Sequence, residues 1–419
     1  MNITVLGEPK FISPVRRTII ENQYVPEHIV HSPQSQEGGL LFELAGPRPK
    51  LYFDPQTTIA GIVTCGGLCP GLNNVIRSIF LELYHAYGVT TVLGFRGGYK
   101  GMDPVRGKEP IVLTSDFVDD IHKEGGTVLG TSRGPVDIGL AVDNLITRKV
   151  NILFTVGGDG TQRGGNELFQ EAKKRGYPLS VVGIPKTIDN DVPFVSRTFG
   201  YVTAVAEADK VLDHAHTEIH SVENGIGLVK LMGRHAGFIA AGATTANQDV
   251  NFTLVPEVPF KLDGPRGFLA ALKERILKRA HALIVVAEGA GQDLLEYTQI
   301  ERDASGNVKS RDIGPFLRDR IEAYFAAEKI PAVMRYIDPS YIVRSSPANS
   351  EDSILCDVFA RNAVHAAMAG KTGLVIGYLH DKFIHIPIEL LTSRVKSMNP
   401  DGFAWRVVLS ATGQQERFE

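Results

Sequence analysis

Val150-Asn151-Ile152-Leu153-Phe154-Thr155-Val156-Gly157-Gly158-Asp159-Gly160-Thr161 is the stretch on which the fold turns. Its first seven residues form an apolar, β-branched run of strand length, and the glycines behind them end it abruptly. Glycine permits backbone conformations and close approaches that a Cβ would block. Asp159 sets a carboxylate among these glycines that can hold a divalent cation against polyphosphate oxygens. Open α/β sheets bind ligands at the carboxyl ends of their strands, so the chain reads first as a phosphate handler.

Outward from this loop lies a second one of the same kind. The run Leu179-Ser180-Val181-Val182-Gly183-Ile184 leads into Pro185-Lys186-Thr187-Ile188-Asp189-Asn190-Asp191, which gathers an ammonium, a hydroxyl and two carboxylates. The first loop suggests donor binding; the second suggests chemistry. On the N-terminal side, Thr58-Ile59-Ala60-Gly61-Ile62-Val63-Thr64 ends in Cys65-Gly66-Gly67-Leu68-Cys69-Pro70-Gly71, with a helix predicted from about Leu72-Asn73-Asn74. Strand, glycine turn and helix together present free N–H groups and a positive dipole end to an anion. Neither glycine turn completes G-x-G-x-x-G, and no Walker A sequence occurs, which argues against a Rossmann dehydrogenase and a P-loop enzyme.

Further strands are predicted at Thr90–Phe95, Gly225–Leu231 and His281–Ala287, with helical patterns at Asn74–Tyr87, Thr161–Arg175, Thr198–Ser221 and Gly267–Arg279. Such alternation implies parallel sheets covered on both faces. Glu301–Ser310 is polar and reads as a surface excursion. After the turn at Asp338-Pro339-Ser340, the alternation of Tyr341-Ile342-Val343-Arg344 suits an edge or crossing strand. Residues 1 to about 55, with Pro14, Pro26, Pro33, Pro47 and Pro49 and a soft Ser32–Gly39 tract, read as an extension with little core of its own.

A length of 419 residues suggests two or three domains. A formal charge of −3, with scattered Lys and Arg, offers nucleic acid no basic stripe. No run approaches the roughly 20 apolar residues of a membrane span, and the N-terminus lacks the features of a secretory signal, so cytoplasmic location is expected. Cys65, Cys69 and Cys356 suggest neither a disulfide framework nor a zinc site. His216 and His220 lie four apart on a predicted helix near His214, but no third ligand accompanies them in sequence, so they read as a packed or solvated histidine face. Trp405 reads as core or interface.

Taken in order, Thr64-Cys65-Gly66-Gly67, Gly94-Phe95-Arg96-Gly97-Gly98-Tyr99, Leu129-Gly130-Thr131-Ser132-Arg133, the Gly-Gly-Asp-Gly-Thr loop, Pro185–Asp191, Met232-Gly233-Arg234, Ala287-Glu288-Gly289 and Tyr341–Arg344 resemble the phosphofructokinase family. The likeness is to its longer-chain, ATP-dependent branch and runs from about residue 58 to 395. Alone, the glycine loop is shared with NAD kinases and diacylglycerol kinases; the ordered set is far more specific. The resemblance implies an α/β fold of two doubly wound lobes, with largely parallel sheets covered by helices and the active site in the interlobe cleft. It places an N-terminal extension at 1–55, an ATP-binding lobe at 56–200 plus 343–395, and a fructose-6-phosphate-binding lobe at 201–342 plus 396–419. The implied reaction is glycolytic: transfer of the γ-phosphoryl group of ATP to the 1-hydroxyl of fructose 6-phosphate.

By the same resemblance, ATP would meet Gly66, Gly67, Tyr99, Arg133, Gly134, Gly158, Asp159, Gly160 and Thr161. Arg133 would act as a planar charged fork and Asp159 would hold Mg²⁺. Thr187 and Gly67 would flank the phosphoryl group in flight, Lys186 would stabilise its charge, Asp189 would take the hydroxyl proton, and Asp191 would orient Asp189 or the metal shell. Arg234 would join this catalytic set and, with Met232, Gly233 and Glu288, line the sugar, while Tyr341 and Arg344 would grip its 6-phosphate. Arg335 would reach a neighbouring subunit's sugar-phosphate site, implying a homodimer or homotetramer.

Donor choice turns on Gly160. Pyrophosphate-using relatives carry a second Asp there, whose bulk and charge would obstruct the α-phosphate of ATP, so the glycine points to ATP. Lys186 is shared with the pyrophosphate enzymes and keeps pyrophosphate-dependent fructose-6-phosphate 1-phosphotransferase as the alternative. Gly225 stands where short bacterial enzymes place an Arg for the neighbour's sugar phosphate, which puts that contact in doubt. An allosteric nucleotide is compatible with the family, but no residue set names its site. A non-catalytic sugar-phosphate sensor would be expected to have lost its base or metal site, whereas Asp159, Asp189 and Asp191 are intact.

Overall fold

In the computed structural model, the residues described are 3–15, 19–27, 39–295, 311–391, 394 and 396–419. The Glu301–Ser310 excursion and the 32–38 part of the soft tract lie outside them. The chain divides into two units of α/β construction. One comprises the described residues of Met1–Thr187, Val192–Gly200 and Ser345–Val395; the other comprises Ile188–Asp191, those of Tyr201–Arg344, and Lys396–Glu419.

The first unit is built on a seven-stranded sheet in the order Lys382–Pro387, Leu374–Leu379, Ser180–Pro185, Ile152–Gly157, Ile59–Thr64, Thr91–Phe95 and Ile111–Val112. The five inner strands run parallel, and the two edge strands run antiparallel to their neighbours. Side chains of both parities are buried in these strands: Val63, Leu153 and Val181 on one face, Ile62, Phe154 and Val182 on the other. That pattern requires cover on both sides. Helices Ile138–Thr147 and Asp159–Lys174 pack Ala141, Leu145, Leu168 and Ala172 against the first face. Asp137 caps the former by accepting from the Leu140 N–H, and Asp159 in the first turn and Lys173 and Lys174 in the last suit the dipole of the latter.

The second unit carries a four-stranded, wholly parallel sheet in the order Phe252–Leu254, His281–Ala287, Gly225–Leu231 and Val333–Ile337. Ile226, Leu228, Ile284 and Val286 pack against Phe268, Leu272 and Ile276 of helix Phe268–Arg279 and Leu317 and Ile321 of helix Ile313–Ala327. Trp405 is buried in helix Phe403–Thr412. Among the described residues, no helix is long and apolar enough to cross a membrane, and Cys65, Cys69 and Cys356 are buried free thiols.

The N-terminal segment departs from the expectation of an extension with little core. Thr4–Val5 pairs with Lys371–Thr372, Phe11–Ile12 with Lys50–Leu51, and Tyr24–Pro26 with Leu41–Glu43. Phe42, Leu51 and Phe53 are buried. These strands are two or three residues long, too short to show a period in sequence. The segment is also pinned by charge. Glu43 accepts from Arg48 at 3.0 Å, from Lys371 at 2.9 Å and from His385 Nδ1 at 3.2 Å. Burial opposes its charge, but His385 and Lys371 outweigh it and hold the Glu43 carboxyl well below the usual carboxylate range.

Burial pushes two imidazoles of this unit down, His385 to about 4 and His365, whose Nδ1 meets the Tyr87 hydroxyl at 2.7 Å, to about 3. The unfolded chain takes up protons at these residues below about 6.5 while the folded chain excludes them, so their stabilising contribution is complete above that pH and is lost as pH falls toward 4. Urea unfolding between pH 7 and pH 4 is expected to show a decline of a few kcal/mol per group. His385→Asn, which keeps a donor for Glu43 but cannot titrate, should make the decline shallower; an unaltered pH slope would remove His385 from the account.

Candidate active site

Parallel pairing fixes a cluster of loops in the first unit. Thr64 lies opposite Val156, and Pro185 opposite Gly157. The loops beginning at Cys65, Gly158 and Lys186 therefore leave three adjacent strands at one level. The chain continues from Ile59–Thr64 to Thr91–Phe95 on one side, while Ile152–Gly157 lies on the other, which makes the gap between them a topological switch point.

The turn after Ile59–Thr64 depends on Gly66, at φ +85°. It is strapped to the Leu129–Arg133 segment: the Gly66 N–H donates to Ser132 O at 3.1 Å, and the Thr131 hydroxyl donates to Gly66 O at 2.7 Å. Lys186 donates through Nζ to Gly67 O at 2.7 Å and through its backbone N–H to Gly157 O at 3.1 Å, tying the three loops together. The Thr187 carbonyl accepts from the Thr198 hydroxyl at 2.8 Å. Asp159 and Gly160 are exposed at the first turn of their helix, and Arg133 and Gly134 are exposed on the adjoining loop.

Two residues expected on the donor side lie in the core. Tyr99 is buried, and its hydroxyl is spent on Thr161 O at 2.6 Å. Thr161 is also buried, with its hydroxyl turned inward to the Cys65 thiol. Both brace the glycine loop from behind, because the loop's tight path leaves their side chains nowhere to go but the core. Burial pushes the Cys65 thiol up to about 12 and leaves it unreactive. A cavity of about 540 Å³ beside Thr131 and Ser132 is lined by Arg96, Lys100, Arg106 and Lys108. None of these cations was expected in the site; their recurrence through the glycine-rich stretch 96–108 was the available signal.

A separate cluster is built by the sheet of the second unit. Leu231 and Ala287 are register partners, so Met232-Gly233-Arg234 and Glu288 emerge side by side. Their loops are laced by Glu288 N–H to Leu231 O at 2.9 Å and Gly289 N–H to Gly233 O at 3.1 Å. Gly233 sits at φ +127°, where a Cβ would come within 2.5 Å of Ala236 O. Asn190 adopts φ +56°, a conformation asparagine tolerates, and turns the chain between Asp189 and Asp191. Burial, then Asp191 and then Glu288 push the Asp189 carboxyl up to about 8, against the opposing pull of Arg234. Burial also raises Glu288, with Arg234 and Lys230 opposing.

Tyr341 to Arg344 do not form the expected strand. They lie in a short helix, Ser340–Ser345. Asp338 accepts from the Ser340 N–H at 3.1 Å, and Pro339 O accepts from the N–H groups of Ile342 and Val343 at 2.8 and 3.1 Å, which starts the helical turn. Only Val343 of the helix is buried, so the apolar alternation did not report a sheet face. The Arg344 guanidinium stacks 4.8 Å from the Tyr341 ring centroid. Arg335 donates to Glu218 at 2.8 Å.

Two lysines of this unit escaped the sequence reading. Lys230, nearly buried, bridges Asp338 at 2.7 Å and Asp312 at 2.9 Å, holding the start of the Ser340–Ser345 helix. Its signal was a cation inside the apolar run Gly225–Leu231. Burial lowers Lys396 to about 8 despite the neighbouring Asp191 carboxylate; nothing local in the sequence marks it.

The sequence profile described as Phosphofructokinase matches residues 59–367. A relative from Borreliella burgdorferi named ATP-dependent 6-phosphofructokinase is 49% identical over 384 residues, covering 90% of this chain and 85% of the relative. Relatives of that name from Amycolatopsis methanolica and Trypanosoma cruzi are each 44% identical, covering 98% and 96% of this chain and 90% and 85% of their own. Among solved structures, a pyrophosphate-dependent phosphofructokinase from Marinobacter aquaeolei superposes with a TM-score of 0.70 at 21% identity, over 86% of this chain and 93% of that one. At that identity the likeness concerns the fold alone.

A carboxyl raised to about 8 is protonated in the folded state where the unfolded chain is ionised. Its contribution to stability is complete below the ordinary carboxylate value near 3.9 and is lost as pH rises toward 8. Asp189→Asn should therefore melt at a higher temperature than the unaltered chain, by a margin that widens from pH 4 to pH 8 and then levels. A margin independent of pH in calorimetry would show that Asp189 titrates normally.

Proposed function

Since the chain belongs to the phosphofructokinase family, we propose that it transfers the γ-phosphoryl group of ATP to the 1-hydroxyl of fructose 6-phosphate, yielding fructose 1,6-bisphosphate and ADP. The observation that carries this reading is Asp189: a carboxyl pushed up to about 8 by burial and by Asp191 and Glu288 is matched to accepting an alcohol proton near neutral pH. As the sugar oxygen bonds to the γ-phosphorus, its proton passes to Asp189. The bond from that phosphorus to the β–γ bridging oxygen breaks, and ADP departs with the electron pair. Lys186 and Arg234 offset charge on the phosphoryl group in transit, which is most of what a protein contributes to such a loose transition state. Thr187 and the Gly66-Gly67 turn position it.

On the donor side, Arg133 takes phosphate oxygens as a fork, and Arg96, Lys100, Arg106 and Lys108 of the adjoining cavity add positive charge that attracts the polyphosphate. Asp159 is an exposed oxygen donor of the kind Mg²⁺ prefers, so it fits that ion, which when bound neutralises phosphate charge. On the acceptor side, Met232, Gly233, Arg234 and Glu288 hold the sugar, and Tyr341 and Arg344 hold its 6-phosphate. Arg335 serves the sugar phosphate of a neighbouring copy, exchanging its Glu218 contact for that anion. The enzyme works as a homo-oligomer in the cytoplasm.

Gly160 supports ATP as the donor. A Cβ on Gly157 would lie 2.2 Å from the Thr161 hydroxyl, so packing demands that glycine. A Cβ on Gly160 meets nothing nearer than Arg163 Nη2 at 3.8 Å, and its φ is not positive. Neither packing nor backbone strain calls for glycine there, whereas passage of a longer donor does. The second reading, pyrophosphate as donor, rests on Lys186, whose ammonium suits either phosphoryl source.

Product formation with ATP against pyrophosphate decides between the two, and turnover with pyrophosphate alone would reject ATP. Gly160→Asp should fold normally yet lower kcat/KM for ATP on the order of 100-fold through like-charge repulsion; undiminished ATP turnover would sink this basis for donor choice. Asp189→Asn should lower kcat by ~10²–10⁴-fold. In the unaltered enzyme, kcat/KM should climb with pH and level near 8, the value to which Asp189 is raised.

A further inference from the structure

His216 and His220 stand one turn apart on helix Tyr201–His220 and so share a face. Folding adds what the sequence lacked, because His281, the first residue of strand His281–Ala287, joins them. One ligand nitrogen from each of the three lies within 4.8 Å of the others. The ring centroids are 4.4 Å apart for His216 and His220 and 4.0 Å for His220 and His281. A tetrahedral ion at the usual Zn–N distance of about 2.0–2.1 Å needs nitrogens about 3.4 Å apart. The group must therefore close from its present spacing to take an ion.

The surroundings prepare two of the rings. Asp249 Oδ2 is 3.3 Å from His216 Nδ1, and Arg279 O is 2.9 Å from His281 Nδ1. The Arg279 carbonyl takes the His281 Nδ1–H and leaves its Nε2 lone pair for an ion, and the Asp249 carboxylate lies at ion-pair distance from His216; outer partners of these kinds orient metal-ligating histidines. One contact competes: Arg275 Nη2 lies 3.1 Å from His281 Nε2 and holds the lone pair an ion would use. Three imidazoles without thiolates suit borderline divalent transition ions rather than Mg²⁺ or Ca²⁺.

We propose that His216, His220 and His281 form a binding site for a divalent transition ion of the zinc class, with Asp249 and the Arg279 carbonyl as its outer partners. The site lies at the amino end of the strand whose carboxyl end delivers Glu288, about 23 Å away along an extended chain. Binding joins the last turn of helix Tyr201–His220 to the start of strand His281–Ala287.

The test uses the full chain without an affinity tag, freed of metal, and titrated calorimetrically with Zn²⁺ alone and spectroscopically with Co²⁺. One tight Zn²⁺ per chain is expected, with Co²⁺ giving the intense visible bands of a tetrahedral nitrogen site. His220→Ala, at an exposed position that folding does not need, should weaken Zn²⁺ at least about 100-fold, and Asp249→Asn about 10-fold. Arg275→Met should tighten it by freeing the His281 lone pair. Asp159→Asn should retain it, separating the site from the donor loop. Absence of saturable binding by the unaltered chain, or Zn²⁺ affinity indifferent to both His220→Ala and His281→Gln, overturns the proposal.

Discussion

Hydrogen-bonded register between parallel strands governs everything that follows in this molecule. Parallel pairing brings strand ends out at one level only if the register is right, and here Thr64, Val156 and Ile184 close their strands together. A slip of one residue would turn every buried strand side chain to the other face, so the packed cores on both faces hold the register in place. The Lys186 ammonium on the Gly67 carbonyl is possible only because of that alignment. The same rule operates in the second sheet, where the partnership of Leu231 with Ala287 sets Arg234 beside Glu288. Chemistry is thus positioned by backbone geometry first and by side chains second.

Charge follows from this placement. Asp189, Asp191 and Glu288 are carboxyls gathered near one another, and Arg234 opposes their repulsion without cancelling it. The cost of holding Asp189 there appears as its raised affinity for a proton. Lys230 presents the opposite case: two carboxylates at 2.7 and 2.9 Å satisfy a nearly buried ammonium. Burial would lower its pKa, but those partners raise it. The first arrangement stays poised to exchange a proton, while the second is locked and serves to anchor Asp338.

Much of this could be read in the residues, for reasons that also explain the rest. The inner strands are near-continuous apolar runs because helices cover both faces, so Ile152–Gly157 and Gly225–Leu231 stand out against their glycine punctuation. Edge elements lack that contrast. The hairpin of Leu374–Leu379 and Lys382–Pro387 turns through His380 and Asp381, both at positive φ, without the Asn-Gly or Asp-Gly pair that usually marks such a turn. The strand Val333–Ile337 is only half-buried along its length. Tyr341 to Arg344 misled because an apolar residue in sequence need not be a buried one, and Tyr341 and Ile342 are exposed. The third histidine could not be found at all, since His281 is sixty-one positions beyond His220 and only the sheet brings it close. The glycine loops were legible as loops, but which of their groups face outward was not: Tyr99 and Thr161 carry polar groups that a sequence reader assigns to a ligand, whereas the fold spends them on support.

Glycines illustrate why sequence reading stops where it does. All are written with one letter, yet they answer different demands. Gly71 sits at φ +102° with the Cys356 sulfur 2.4 Å from where a Cβ would be, and Gly183 gives way to the Gln162 side chain at 2.1 Å. These are obligations of the fold, and a side chain at either would cost stability. Gly160 carries no such obligation, being exposed, free of positive φ and at the first turn of a helix, where an aspartate would even be favoured by the dipole. A residue that the fold does not require, close to one such as Gly157 that it does, can vary without disturbing the architecture. Under the proposal that Gly160 sets the donor, donor specificity is therefore separable from stability.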